Sequence, residues 1–125
     1  MDVDTDLFVQ AFWVKCREVI RPEIDLAIGE LRGAGHEANV STQEFSAKAD
    51  SLPTDGGPSL TLAIRPAGAP DGAAHPSLEF HGDVARGAID VIASDGRKQS
   101  YEIAELGPAE VKLQLDGWRA RLVPA

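Results

Sequence analysis

The apolar residues of this chain follow two different periods. Between Asp6 and Arg32 they recur every three or four positions, and Val9, Phe12, Trp13, Cys16, Val19 and Ile20 line one side of a helix. Asp4, Thr5 and Asp6 offer N-caps, and their charges suit the positive end of the helix dipole. Pro22 interrupts the run, because proline has no N–H for the carbonyl four residues back. Ile24, Ala27, Ile28 and Leu31 nevertheless carry the stripe on, and no loop residues flank Pro22. The pattern therefore predicts one long kinked helix. A restart at Pro22, with Glu23 and Asp25 in a new first turn, is the alternative. Gly33 and Gly35 provide the stop.

From His36 onward the period falls to two. Ala38, Val40 and Thr42 alternate with polar residues, as a half-buried strand requires. Phe45 and Ala47 take the opposite parity, which predicts a bulge near Glu44. Leu60, Leu62 and Ile64 mark a second strand, Leu78 and Phe80 a third, Ile89 and Val91 a fourth, and Tyr101 and Ile103 a fifth. Ser94-Asp95-Gly96-Arg97 forms a hairpin turn between the last two strands. Residues 51–59 and 66–76 are loops by their glycine and proline content.

The C-terminal stretch admits two readings. As a helix it places Val111, Leu115, Trp118 and Leu122 in one stripe, with Gly107 and Pro108 at its start and Arg119 and Arg121 at its end. As a hairpin it turns at Asp116-Gly117. The hairpin sets Lys112 opposite Arg121, an unfavourable like-charge pair, whereas the helix bears only the roughly 1 kcal/mol cost of Gly117. The helix is preferred. The fold class is then α+β: a long kinked N-terminal helix, an antiparallel meander of about five strands covered on one face, and a C-terminal helix. The 125 residues form one domain, 1–125.

Composition narrows the setting. Cys16 is the single cysteine, so no intrachain disulfide can form. The opening MDVDTDLF is acidic where a secretory signal is basic, and no apolar run approaches the roughly 20 residues that span a bilayer. The expected location is the cytoplasm. A net charge of −8 argues against binding nucleic acid or an anionic membrane, since both need an excess of Lys and Arg.

Candidate chemistry is sparse. Glu79, His81 and Asp83 project from one face of the third strand. A histidine between two carboxylates can ligate a divalent metal or act as a base, given help from residues such as Glu102 or His36. The spacing fits no established metal motif, and the plainer reading is the outward side of an alternating strand. Cys16 falls in the helix stripe and reads as a small buried hydrophobe. The glycine pairs lack a following helix start or a nearby cation, so they are turns and not phosphate loops. The aromatic content of the first helix, Phe8, Phe12 and Trp13, spreads apolar surface beyond one stripe: either the C-terminal segment, with Trp118 and Leu122, covers it within the monomer, or it is an interaction surface for a second chain.

The reading that results is a small acidic cytoplasmic protein, a non-catalytic protein-interaction or homodimerising domain with no cofactor. The alternative is a small metal-dependent hydrolase or ligand-binding enzyme on the polar sheet face, with His81 as base and Glu79 and Asp83 beside it.

Overall fold

The computed structural model describes residues 3–43, 58–65, 76–84 and 86–122. The expected bulge near Glu44, with Phe45 and Ala47, lies outside these residues, as do most of the two loops. Helix α1 (Val3–Lys15) runs through a π turn (Cys16–Ile20) into α2 (Arg21–Gly33). Strands β1 (Glu37–Gln43), β2 (Ser59–Arg65), β3 (Ser77–Asp83), β4 (Ala88–Ala93) and β5 (Lys98–Glu102) follow, then α3 (Pro108–Leu122). The strands form one antiparallel sheet in the order β1-β2-β3-β4-β5, a simple meander. Among the described residues, no helix is long and apolar enough to cross a membrane.

The N-terminal helix is continuous, and the π turn takes up the strain of Pro22. The Arg21 N–H reaches back five residues to the Cys16 carbonyl instead of four. This wider turn also keeps the buried face in phase. Phe8, Phe12, Cys16, Ile20 and Ile24 are all buried at intervals of four. In a regular helix Ile24 would lie roughly 160° around from Phe8, and one residue absorbed in the π turn cuts that to about 60°. The inward stripe is therefore centred on these residues, with Val9, Trp13 and Val19 half-buried at its flanks. The helix also starts earlier than expected, and Asp4, Thr5 and Asp6 fall inside its first turn. At the far end Gly35 adopts φ 95°. Its N–H donates to the Arg32 carbonyl (3.0 Å), and the His36 N–H donates to that of Leu31 (3.0 Å). This paired C-terminal cap needs a left-handed residue at Gly35.

The helices cover one sheet face. Leu60, Leu62, Ile64, Leu78, Phe80, Ile89, Val91 and Ala93 point into the core, where Val111, Leu115 and Trp118 of α3 meet them. The C-terminal stretch is thus a helix, and Leu113 shows why: a hairpin would bury it beside Val111, yet it is 67 % exposed. Gly107 starts the helix by accepting the Val111 N–H at 3.1 Å. An ion pair from Arg119 to Glu30 ties α3 to α2.

Candidate functional site

On the sheet face turned away from the helices, the strand register assembles a polar patch. Glu79, His81 and Asp83 do share this face, as the period of β3 requires. His81 stands opposite Ser59 on β2 and opposite Asp90 on β4, and Asp90 stands opposite Ser100 on β5. Direct cross-strand neighbours have Cβ atoms about 4.5–5.5 Å apart, so Ser59, His81, Asp90 and Ser100 form one transverse row.

The ionic partners are specific. The His81 Nδ1 lies 3.4 Å from Glu79 Oε2 along the same strand. Arg86, in the turn between β3 and β4, spans two carboxylates, with Nε donating to Asp83 Oδ2 and Nη2 to Asp90 Oδ1, each at 2.6 Å. The Ser100 hydroxyl also donates to Asp90 Oδ1 at 2.6 Å, and Lys98 Nζ sits 3.6 Å from Oδ2. Asp90 is only 4 % exposed although it faces away from the helices. Burial alone would raise its pKa. Hydrogen bonds from Ser100 and Arg86, with the charges of Arg86 and Lys98, outweigh burial and hold the carboxyl below the usual aspartate range. The same two carboxylates raise the pKa of Arg86.

This arrangement turns the acidic residues toward basic side chains rather than toward one another. Asp83 turns to Arg86 and Glu79 turns to His81, so the three candidate ligands do not converge. Among the described residues, no group of three His, Cys, Asp or Glu side chains is placed to hold a metal ion. Glu102 lies one row beyond Asp90, two strands away from Asp83 through Ala88. His36 precedes β1 at the end opposite Gln43, the residue that shares the row of His81.

Sequence reasoning missed Asp90 and Arg86, the centre of the patch. One signal for Asp90 was available: it interrupts the apolar run of β4 on the parity opposite to Ile89 and Val91. Its partners became visible only through the register.

The aromatic residues of α1 are divided between core and surface. Phe12 is fully buried and Phe8 is 9 % exposed, both in the core cluster, so neither forms the outward surface expected of them. They drop into a notch over Gly82, which faces the helices between Phe80 and Val84 and has no side chain. Trp13 is half-buried and packs edge-on against Phe12 with ring centroids 5.0 Å apart. The outward apolar stripe belongs instead to Leu7 (59 % exposed), Ala11 and Val14 (41 %), spaced four and three residues apart. It runs into a shallow groove of about 310 Å³ bounded by Val14, Lys15, Glu18, Val19, Ile103 and Ala104.

Set against known protein families, curated proteins and solved structures, this chain matches none of them.

Proposed function

We propose that this protein is a non-catalytic interaction domain that pairs with a second copy of itself through the outer face of α1. The observation that carries this reading is the exposed stripe Leu7–Ala11–Val14 leading into the Val19–Ile103 groove. Single exposed apolar residues are ordinary, but a stripe with four-then-three spacing is the seam by which two helices associate. Its charges are self-complementary. In an antiparallel two-fold pairing, Lys15 of one copy meets Glu18 of the other and Val14 meets Val19, twice over.

The acidic net charge of −8 supports a protein partner over nucleic acid. One buried free cysteine fits the reducing cytoplasm. Light scattering on the whole chain tests the pairing. A Val14→Glu variant should shift the mass from dimer to monomer, and a wild-type chain that is monomeric throughout sinks the reading.

A second reading rests on a different observation, the 3.4 Å contact of Glu79 with His81 Nδ1 in the same row as Ser59. A carboxylate on one ring nitrogen leaves the other available as a base toward that serine, which is the arrangement of a hydrolytic or ligand-binding site. Zinc titration by calorimetry and an ester-substrate screen with His81→Ala test it. Heat of binding or turnover that the variant loses would favour it.

A further inference from the structure

We infer that the pairing surface of α1 continues onto α2, so that two copies lie antiparallel along the whole N-terminal helix with Leu7 of one against Leu26 of the other. This rests on the pairing proposed for α1 and fixes where the second copy sits on it.

The phase of the helix carries the inference. Among the described residues, four large apolar side chains are exposed: Leu7 (59 %), Val14 (41 %), Leu26 (67 %) and Leu113 (67 %). Leu113 stands apart on α3, and the other three share the N-terminal helix. In a regular helix Leu26 would lie roughly 100° around from Leu7, off the stripe. The residue absorbed in the π turn (Cys16–Ile20) cuts that offset to about zero. The π turn that keeps Phe8 and Ile24 on the buried side thus brings Leu7 and Leu26 into line on the outer side. Ala11 and Pro22 are exposed along the same line. Around Leu26 the helix is firmly seated, since Ile24, Ala27 and Ile28 are buried. Its outward side chain is therefore a property of the packed helix and not of a frayed end.

The line is self-complementary about a single point. Reversed about the peptide between Cys16 and Arg17, Leu7 falls on Leu26, Ala11 on Pro22 and Val14 on Val19. A two-fold axis at that point makes each of these apolar contacts twice. Such symmetry serves a second copy of this chain, and a partner of another kind has no use for it. Charge does not set the register. Glu18 lies 3.5 Å from Arg17 of its own chain, and both are well exposed. The apolar pairs at the centre and at both ends of the seam locate the partner.

Light scattering and disulfide trapping test the register. Leu26 is mostly exposed in the single chain, so Leu26→Glu should keep the wild-type melting temperature. In the pair it buries an unmatched charge, and the dimer dissociation constant should rise by about tenfold or more. An equimolar mixture of Leu7→Cys and Leu26→Cys, mildly oxidised and run on a non-reducing gel, should yield a product joining one copy of each. Facing Cα atoms there lie within the roughly 7 Å that a disulfide spans. Leu7→Cys alone should cross-link about tenfold more slowly or less, because its two cysteines lie roughly 28 Å apart along the seam. Cys16 is buried and stays out of the reaction. A dimer that Val14→Glu dissociates but Leu26→Glu leaves intact overturns the extension and leaves the α1 pairing standing. So does Leu7→Cys alone cross-linking as fast as the mixture. A wild-type chain that is monomeric at every concentration overturns both.

Discussion

Phe12 of α1 stands against the backbone of Gly82 on β3: a Cβ added at Gly82 would lie 3.1 Å from Phe12 Cδ2, 3.2 Å from Phe8 Cε2 and 3.0 Å from Pro58 Cγ. The two rings reach the sheet only because that position has no side chain. The Gly82 N–H also donates to the Pro58 carbonyl at 2.7 Å, so the backbone cannot retreat. Gly82→Ala should therefore cost about 1–3 kcal/mol, the range for overpacking a core. Urea denaturation checks this, and a midpoint unchanged from wild type would mean that α1 can lift from the sheet at no cost.

Trp118 is 1 % exposed, and among the described residues its indole Nε1 has no hydrogen-bond partner. Trp118→Ala should destabilise the fold by about 3–5 kcal/mol through the cavity it leaves. Trp118→Phe should cost less than half as much, because the smaller ring also removes a buried donor that nothing satisfies. Equal losses in the two variants, measured by thermal melts, would show that the indole N–H is bonded.

Asp90 makes stability depend on acid. Its folded pKa lies below the ordinary 3.8, so its contribution is complete above that value and is lost as pH falls through the lower folded value. Asp90→Asn should cost about 1–3 kcal/mol at neutral pH, and the gap to wild type should close below about pH 4. Denaturation curves at several pH values read this directly. A gap that does not narrow at all as pH falls below about 4 would place the effect in packing.

Cys16 lies buried on the π turn, and desolvation pushes its thiol pKa up from 9.0 to about 12. Only the thiolate attacks, so a chromogenic disulfide reagent at pH 8 should leave the native chain unmodified and label it at once in denaturant. The sign for stability is the reverse of that for Asp90. The folded state keeps a proton that the unfolded chain gives up above pH 9, so stability falls as pH rises past that point. Prompt labelling of the native protein would show that the π turn opens locally.

Much of the fold was legible because it rests on short-range periodicity. Alternation at Leu60–Ile64 and Leu78–Phe80 fixed which residues face the helices, and the Ser94–Arg97 turn fixed one pairing. A long helix through Pro22 was readable from the absence of loop residues. Its π turn was not, since what demands it is the phase between Phe8 and Ile24 against a sheet whose position no local pattern gives. The same limit explains the misplacement of Phe8 and Phe12. Aromatic residues on a helix read as surplus surface until a notch at Gly82, some seventy positions along the chain, is known to receive them. The polar patch divides in the same way. Glu79, His81 and Asp83 follow from one strand, while Asp90, Arg86 and Ser100 need three strands in register and the turn beside them.

The interaction reading stands or falls on the outer face of α1. Multi-angle light scattering of the whole chain over a hundredfold range of concentration measures it most directly. A mass that rises to twice that of the monomer, and that falls back to the monomer for Val14→Glu at unchanged melting temperature, is expected. A single monomeric mass at every concentration, shared by wild type and Val14→Glu, would contradict it.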